Sequence, residues 1–498
     1  MRRVSLSGVT PGIRCYQATA SRALDCVRGE AARGTHDEEQ SARGVAMMCT
    51  VYDARTRAYL ARGLADAFLS GAWNERALLA RAGRSLDRRP AWARALAREV
   101  LAAYHRPPAD RPRELSKFIA LMLEDLPPAA EGQEAPRVRR WLIPEPAMGR
   151  RRWPVPELAS VDELARYLEV TDGELAWLAD ARGLERTVLD ERLRHYRYAA
   201  LARRAGPPRV IEAPKSRLKA IQRRVAHEIL DWIPAHDAAH GFTRGRSVLS
   251  HAAEHTGRRV VMGLDLQNFF ASIPARRVFG IFRTAGYPES VAHALTALTT
   301  NVVSLPAWQD IPRPTEAHQV DSHHQLGRLL ATPHLPQGAP TSPSLANLAA
   351  FRLDRRLSGL AASLMLTYTR YADDLTFSGP ERLLRISGDL RRTIAAIARE
   401  EGFAINHRKS TLATRAGRQQ VCGIVVNEHV NVARADYDTL KAILHNAGGR
   451  GPGRENRASV SDFRAHLLGR IAWMSSLNPQ RGETLRRRFA RIRWEDGG

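Results

Sequence analysis

Residues 371–374 read Tyr-Ala-Asp-Asp, between the apolar segments Leu-Thr-Tyr at 366–368 and Leu-Thr-Phe at 375–377. Apolar, β-branched and aromatic residues around a short polar tip predict two β-strands joined by a tight turn. Adjacent carboxylates repel each other, so Asp373 and Asp374 gain nothing from neighbouring positions in a core. A hard divalent cation removes that repulsion by taking carboxylate oxygens as ligands. The pattern indicates either a metal site at a hairpin tip or a solvated turn carrying two acids, since turns favour Asp.

A third carboxylate, Asp265, favours the metal site. It follows the apolar run Arg-Val-Val-Met-Gly-Leu at 259–264, which is typical of a buried strand. Mg²⁺ uses few protein carboxylates when substrate phosphates and water complete its octahedron. A pair of such ions can clamp the attacking and leaving oxygens of a phosphoryl transfer. The alternative for Asp265 is a turn-forming residue at the end of a strand.

An ordered set of further motifs resembles the reverse transcriptases, and within them the bacterial retron type. Arg-Val-Ile-Glu-Ala-Pro at 209–214 and Leu-Lys-Ala-Ile-Gln-Arg at 218–223 resemble the fingers blocks, and Leu-Pro-Gln-Gly at 335–338 resembles the block that faces template and nucleotide. The resemblance runs from about residue 160 to the C-terminus. It implies an α+β right-hand polymerase with fingers, palm and thumb, an antiparallel palm sheet, and a mainly helical N-terminal extension.

The resemblance also implies the chemistry of the site. Asp265, Asp373 and Asp374 would be the catalytic residues and would hold two Mg²⁺ ions, for which Mn²⁺ can substitute. Phe270 stands where the family places an aromatic wall under the sugar, and a ring there excludes a ribose 2′-hydroxyl. The alternative for Phe270 is an ordinary core phenylalanine.

Four other residues are expected around the incoming deoxynucleoside triphosphate. Arg209 has a planar, always charged guanidinium that suits bidentate contact with phosphate. Gln337 and Gly338 belong to the loop that approaches the nucleotide, where glycine lets the backbone pass closely. Lys409 would either protonate the pyrophosphate leaving group or grip a backbone phosphate.

The residues expected to bind RNA come from the charge pattern and from two altered retron motifs. Residues 251–255 read His-Ala-Ala-Glu-His, where the family usually carries Asn-Ala, two variable residues and His. Residues 421–423 read Val-Cys-Gly where it carries Val-Thr-Gly, so a thiol of similar size replaces a hydroxyl. Lys219 and Arg223 would fit a solvated helical face equally well. The predicted set is Lys219, Arg223, Arg246, His255, Val421, Cys422, Gly423, Arg486, Arg487 and Arg488.

Composition agrees with a nucleic-acid enzyme. The 498-residue chain has a formal net charge of +24 and a pI of about 10.9, which favours a partner rich in phosphate. Charge alone separates neither RNA from DNA nor a polymerase from a passive binder. Cys15, Cys26, Cys49 and Cys422 lack paired metal-ligand spacing, so reduced thiols are expected. With no secretory signal or membrane-spanning run, a cytoplasmic protein without a membrane partner is predicted.

Composition and periodicity divide the chain into five parts. Residues 1–46, rich in Gly, Arg and Ser without periodicity, are expected to be disordered. Residues 47–126 have helical periodicity and form an extension of unknown role, and 127–158 read as a basic, Pro-rich linker. Residues 159–430 would form the fingers and palm, and 431–498 a helical, basic thumb.

Four histidines occupy a polar, Pro-punctuated connection: His318, His323, His324 and His334. No cysteine accompanies them, so a loop insertion is favoured over a metal site.

The predicted activity is the copying of RNA into DNA. By resemblance, the template is a structured noncoding RNA whose internal guanosine 2′-hydroxyl primes synthesis, which gives branched multicopy single-stranded DNA in an antiviral system with an effector or toxin protein encoded nearby. Alternatives within the class are a mobile-intron or a diversity-generating reverse transcriptase. The alternative from another class is a noncatalytic RNA-binding scaffold, against which the three intact acids argue.

Overall fold

The computed structural model describes residues 54–86, 88–124, 136–188, 190–201 and 208–494. The prediction of disorder for residues 1–46 lies outside these ranges. The contacts of the chain divide it into two compact units. Among the described residues, the first unit spans 54–107 and 112–144, and the second spans 108–111 and 145–494.

The first unit is helical. In its longest helix, Leu60, Leu64 and Phe68 recur every four residues and are buried, which gives the helix one apolar face. The buried guanidinium of Arg81 donates to the carbonyl oxygens of Ala67 and Phe68, which the end of that helix leaves without helical partners. The helices are α1 (Ala54–Leu69), α2 (Glu75–Leu86), α3 (Ala93–Ala103) and α4 (Pro112–Met122).

Residues 136–144 lack regular secondary structure and lie against the helices of the first unit. The backbone N–H groups of Arg139 and Arg140 donate to the carbonyl oxygen of Ser85 at 2.9 and 3.0 Å. Val138 covers Gly63, where an added Cβ would meet a methyl group of Val138 at 2.4 Å. This part of the predicted linker is therefore packed on the first unit. Its later residues include Val155 and Leu158, which are buried in the core of the second unit.

The second unit combines helices with antiparallel strands, which confirms the predicted α+β class. Its helices are α5 (Val161–Tyr167), α6 (Asp172–Leu178), α7 (Leu184–Thr187), α8 (Ser216–Glu228), α9 (Val248–Ala253), α10 (Ala275–Thr284), α11 (Glu289–Thr299), α12 (Leu305–Gln309), α13 (Ala317–Leu330), α14 (Ser342–Ala349), α15 (Phe351–Ser363), α16 (Arg382–Glu400), α17 (Arg434–Arg450), α18 (Phe463–Leu477) and α19 (Pro479–Phe489). Its strands are β1 (Tyr196–Leu201), β2 (Arg209–Pro214), β3 (Val260–Asp265), β4 (Thr367–Tyr371), β5 (Asp374–Gly379), β6 (Thr411–Thr414), β7 (Gln420–Val421) and β8 (Ile424–Val425).

A four-stranded antiparallel sheet in the order β4–β5–β3–β6 carries the predicted catalytic residues. Its central strand β3 is buried, as its apolar run predicts, with Met262 and Leu264 in the core. Helices α15 and α16 contribute the buried residues Leu353, Leu357 and Ile394 to the same core. The other two sheets are hairpins, β1–β2 and β7–β8.

The prediction of a loop insertion around the four histidines is wrong, because this segment contains α12 and α13. Leu326 and Leu330, one helical turn apart, are buried against Val303 and Ile311. His323 is also buried and stacks on Trp308, with ring centroids 4.4 Å apart. An apolar stripe at helical spacing thus outweighs the polar composition. The side chain of His318 lies outside the described residues.

The segment predicted as a thumb contains α17, α18 and α19 in its described part. Leu440, Leu444, Leu467, Ile471 and Leu485 form the centre of a separate apolar cluster that joins these helices. Among the residues that the structure describes, none of the helices has the length and apolar character needed to cross a membrane.

Candidate active site

The hairpin β4–β5 presents the adjacent acids at its tip. Tyr371 pairs with Asp374, so Ala372 and Asp373 alone connect the two strands. Ala372 has a φ of 55°, a left-handed conformation that costs an L-residue about 1–2 kcal/mol. The backbone N–H of Leu266, just beyond β3, donates to the carbonyl oxygen of Asp373 at 2.9 Å. The tip is therefore held in a strained turn against the end of β3.

The structure brings the three predicted carboxylates together. Asp265 lies directly opposite Asp374 in the register of β3 and β5. Burial, followed by the charges of Asp373 and Asp265, raises the pKa of Asp374 to about 6. Burial and the charge of Asp265 also raise the pKa of Asp373. The protein therefore leaves much of this repulsion unrelieved, which is what a site for divalent cations requires.

The carboxylates do not form a closed cage of protein ligands. Among the described residues, no three or more His, Cys, Asp or Glu side chains are grouped so that they could hold a metal ion without other ligands. Mg²⁺ at phosphoryl-transfer sites takes only one or two carboxylates and completes its shell with phosphate and water. An open set of hard carboxylate oxygens that repel one another fits that use.

Lys409 contacts the carboxylates rather than standing apart from them. Its Nζ lies 2.6 Å from Oδ1 of Asp265. The backbone reinforces this contact, because the N–H of Asn406 donates to the carbonyl oxygen of Asp265 at 2.7 Å. The Lys409 side chain is half exposed whereas that of Asp265 is buried, so Lys409 balances the charge of a buried carboxylate from the open side of the site.

A cavity of about 600 Å³ opens in front of Asp265 and Asp373. This volume lies within the usual range of ligand pockets, about 300–1,000 Å³, which accommodates a nucleotide. Four of the residues predicted to bind nucleotide line it together, namely Arg209, Phe270, Gln337 and Lys409. Its lining also includes residues that the sequence analysis did not select, among them Phe242, Gln319 and Ser322.

Gly338 lies beside this cavity and needs to be glycine. Its φ is 133°, and an added Cβ would lie 2.8 Å from the carbonyl oxygen of Glu212. The N–H of Glu212 in turn donates to the carbonyl oxygen of Gln337 at 2.8 Å. The backbone at Gly338 thus passes close to β2, which begins with Arg209, and its predicted approach to the nucleotide stays a prediction.

Glu212 is also the acceptor at the centre of a buried polar cluster. Nε2 of His334 lies 3.0 Å from its Oε1, and Asn301 donates to its Oε2 at 2.7 Å. Burial acts to lower the pKa of His334, but the charge of Glu212 and their hydrogen bond outweigh burial and raise it. His334 therefore serves an ion pair that joins β2 to the segment entering the Gln337–Gly338 loop.

A second buried ion pair supports the catalytic turn. Arg370 and Asp354 are fully buried and form two hydrogen bonds of 2.8 and 2.7 Å. Nη1 of Arg370 also donates to the carbonyl oxygen of Ala372 at 2.9 Å. Asn347 accepts from Arg370 at 3.0 Å and donates to the carbonyl oxygen of Gly241 at 2.8 Å. This network was not predicted, although an arginine in an otherwise apolar strand is a signal for such a role.

The prediction that His255 binds RNA is corrected by the structure. The side chain is fully buried, and its ring nitrogens lie 2.7 Å from Oγ of Ser378 and Oγ1 of Thr369. His251 also reaches Oγ1 of Thr369, at 2.7 Å. The two histidines thus connect the segment before β3 to both strands of the catalytic hairpin. A buried ring with both nitrogens engaged has no contact to offer RNA.

The segment 421–423 lies next to the carboxylates. Sγ of Cys422 is 3.5 Å from Oδ2 of Asp374, and burial followed by that carboxylate raises the pKa of the thiol. The side chain of Val421 is buried, so it cannot contact RNA directly. Gly423, with a φ of 81°, has open space where a Cβ would point. Of the three, Gly423 alone presents an open surface.

The remaining predicted RNA-binding residues lie on the surface and stay predictions. Arg223 and Arg486 are exposed, and Arg487 bonds to Glu483 at 3.2 Å. Lys219, Arg246 and Arg488 are partly exposed.

Comparisons with known proteins agree with these observations. Residues 202–437 match the family described as reverse transcriptase (RNA-dependent DNA polymerase). The chain is 38% identical over 350 residues to the Retron Mx65 reverse transcriptase of Myxococcus xanthus, which covers 70% of this chain and 75% of that protein. It is 36% identical over 341 residues to the Retron Mx162 reverse transcriptase of the same organism, covering 66% and 65%. The Retron Ec86 reverse transcriptase of Escherichia coli is 32% identical over 238 residues, covering 48% and 64%.

Proposed function

Because the chain belongs to the retron reverse transcriptases, which are RNA-directed DNA polymerases, we propose that Asp265, Asp373 and Asp374 bind the two Mg²⁺ ions of DNA synthesis. One observation carries this assignment: Asp265 faces Asp374 across β3 and β5, where burial, followed by the charges of Asp373 and Asp265, raises the pKa of Asp374 to about 6. When bound, the ions neutralise charge on the transferring phosphoryl group and on the oxygens that enter and leave it. Mn²⁺ is the expected substitute, since it accepts the same ligands.

The protein supplies the alignment of the reacting groups. Arg209 holds the triphosphate, and the ring of Phe270 forms the surface beneath the sugar. Gln337 and Gly338 fix the nucleotide opposite its template base through the loop that passes Glu212. Lys409, which neutralises Asp265 in the structure, is the cation available to the pyrophosphate leaving group.

We assign the parts of the right-hand architecture from these positions. The hairpin β1–β2 and helix α8 form the fingers, because β2 begins with Arg209 at the cavity. The four-stranded sheet with the carboxylates forms the palm. Helices α17, α18 and α19 form the thumb, which would track the duplex through its phosphates.

The retron part of the proposal concerns the template. A structured noncoding RNA encoded beside the protein is copied, an internal guanosine 2′-hydroxyl primes synthesis, and the product is branched multicopy single-stranded DNA. The product acts in antiviral defence with an effector or toxin protein, in the cytoplasm. The identity of 38% to a retron enzyme supports this choice over mobile-intron and diversity-generating enzymes.

Sequencing the nucleic acid that copurifies with the chain tests the retron part. The chain is expressed with its neighbouring noncoding region, and Asp373→Asn is the matched control. Wild type should yield DNA covalently joined to RNA through a bond that a 2′,5′-debranching enzyme cleaves. The variant should yield the RNA alone. Unbranched DNA from wild type would overturn the retron assignment but leave the polymerase in place.

A further inference from the structure

The first unit presents exposed aromatic and apolar side chains close together. We call the side chains of Tyr59, Trp141 and Ile143 the aromatic patch; they are 54%, 36% and 85% exposed. The rings of Tyr59 and Trp141 meet edge to face with centroids 5.3 Å apart, and Nε1 of Trp141 donates to the Tyr59 hydroxyl at 3.3 Å. Ile143 follows two residues later, on the same irregular segment.

The patch is held in place by the backbone rather than by burial of its own rings. The segment that carries Trp141 is fixed just before it, where Arg139 and Arg140 bond to Ser85 and Val138 covers Gly63. The exposed part of the Trp141 side chain, 36% of its surface, does not gain the stabilisation that burial would give it. Apolar surface presented in this way is typical of a binding site.

Positive charge surrounds the patch. Arg55, Tyr59 and Arg62 are all exposed, and their spacing of four and three residues puts them on one face of α1. The guanidinium carbon of Arg62 lies 6.0 Å from the centre of the Trp141 ring. Two more exposed arginines, Arg139 and Arg140, immediately precede Trp141.

Several of the acidic groups described in the same unit are engaged with other groups. Glu75 pairs with Arg94 and Arg98, and Glu124 pairs with Arg57. Asp66, the acid in α1, is partly buried; burial raises its pKa, and the charge of Arg62 acts in the opposite direction. The surface around Trp141 is therefore a cationic one with aromatic rings in its middle.

We propose that the aromatic patch and its arginines bind single-stranded nucleic acid. Unpaired bases would stack on Trp141 and Tyr59, while Arg55, Arg62 and the Arg139–Arg140 pair would contact phosphates. Interleaved rings and guanidinium groups suit this ligand, because every base has a face to stack and every nucleotide carries a phosphate. This surface is separate from the proposed metal site and does not depend on it.

The test uses the full-length protein and photo-crosslinking. Two oligonucleotides of one arbitrary unstructured sequence are compared, RNA with 4-thiouridine and DNA with 4-thiothymidine, which separates the two sources of single strand. An unlabelled primer–template duplex is added in excess to occupy the polymerase site. Mass spectrometry then locates the crosslinks, and fluorescence anisotropy measures affinity at several salt concentrations.

Crosslinks at Tyr59 or Trp141 should persist when the duplex is present. Trp141→Ala should weaken binding of the single strand about tenfold, as loss of one stacked base predicts. Trp141→Phe should retain binding, and Arg139→Glu with Arg140→Glu should weaken it and flatten its salt dependence. Leu121→Ala, which trims another exposed apolar residue of this unit, is the matched control and should bind like wild type.

Primer extension by every variant should equal that of wild type, because none lies at the catalytic carboxylates. The proposal is overturned if crosslinks fall only within residues 145–494, or if Trp141→Ala binds both oligonucleotides as wild type does. An equal loss of binding in Trp141→Phe and Trp141→Ala would also overturn the proposal. Phenylalanine keeps a ring on which a base can stack, so base stacking would then not account for the binding.

Discussion

At the scale of single residues, the site combines carboxylates that have no matching positive charge with a buried ion pair whose charges are matched. Asp373 and Asp374 keep raised pKa values because burial and neighbouring carboxylates oppose their ionisation. Asp354 is more completely buried, but it is matched by two hydrogen bonds from Arg370. The unmatched acids stand where a cation is to bind, and the matched pair holds the turn that presents them.

The first prediction concerns these acids. Asp373→Asn and Asp374→Asn should each abolish DNA synthesis on an RNA template with Mg²⁺, while RNA binding stays nearly intact, because the carboxylates hold metal and would repel phosphate. Above pH 6 the ionised Asp374 destabilises the metal-free fold, since its folded pKa lies above the ordinary value of 3.8. Asp374→Asn should therefore raise metal-free stability at pH 8, by up to about 3 kcal/mol.

Primer extension and chemical denaturation of the same preparations measure both effects. Extension at the wild-type rate by either variant would contradict the metal assignment. A metal-free stability unchanged by Asp374→Asn would show that solvent relieves the repulsion.

The second prediction concerns sugar choice. Phe270 lines the cavity and packs beside Phe269 and Phe242, with centroids 5.5 and 6.2 Å away. Phe270→Ala and Phe270→Val should raise the incorporation of ribonucleotides relative to deoxynucleotides, because the trimmed side chain leaves room for a 2′-hydroxyl. Phe269→Leu, at a buried neighbour, is the control. Unchanged discrimination in folded, active Phe270 variants would assign this ring to core packing alone.

At the scale of elements, an apolar run was enough to predict β3, and apolar segments around a polar turn were enough to predict the catalytic hairpin. They were not enough for His255, because its partners Thr369 and Ser378 are more than 100 positions away and only the folded sheet brings them near. Helix α13 was missed for the opposite reason. Its apolar stripe is visible in the local sequence, but the segment was predicted as a loop from its polar composition. Periodicity predicts an element, whereas the partner of a buried polar group depends on topology.

The third prediction follows from the histidines that tie this hairpin to α9. Burial lowers the pKa of His251 to about 3 and that of His255 well below 6.5, so both stay neutral in the fold. Below pH 6.5 these two histidines become protonated in the unfolded chain but stay neutral in the folded protein. Stability should therefore be fully present above pH 6.5 and should fall as the pH drops, by up to about 1.4 kcal/mol per pH unit for each histidine.

Denaturation curves between pH 5 and pH 8 measure this slope. His255→Asn, which cannot titrate, should be less stable at pH 8 but should lose less stability on acidification than wild type. His227→Asn, at an exposed ring on α8, is the control and should keep the wild-type slope. A wild-type slope in His255→Asn would contradict the role given to this ring.

At the scale of the whole chain, the excess of positive charge is divided among surfaces with different tasks. The sequence predicts a basic thumb and a basic linker from the arginines that each segment carries. It did not show that part of the linker packs on the first unit and carries Trp141 there, because Pro-rich composition gives no periodic signal. Net charge therefore predicts a phosphate-rich partner, and only the placement of each arginine separates general affinity from recognition.

The last prediction separates those two properties. Arg486, Arg487 and Arg488 lie near the end of α19, where their charges would meet phosphates that every duplex offers. Changing all three to Gln should weaken binding to cognate and unrelated RNA alike and lower the salt dependence, by up to about three in the log–log slope. Cys422→Ala, which alters the segment that positions the open Gly423, should instead weaken cognate RNA selectively, since residues 421–423 stand at the retron motif.

Titrations of both variants against cognate and scrambled RNA at several salt concentrations provide the measurement. Because Cys422 also contacts Asp374, binding rather than synthesis is the readout that isolates recognition. Cys422→Thr, which restores the hydroxyl of the family motif, is the matched variant and should bind cognate RNA at least as well as the parent chain. A loss confined to cognate RNA in the arginine variant would reverse the two roles, because phosphate contacts alone carry no sequence information.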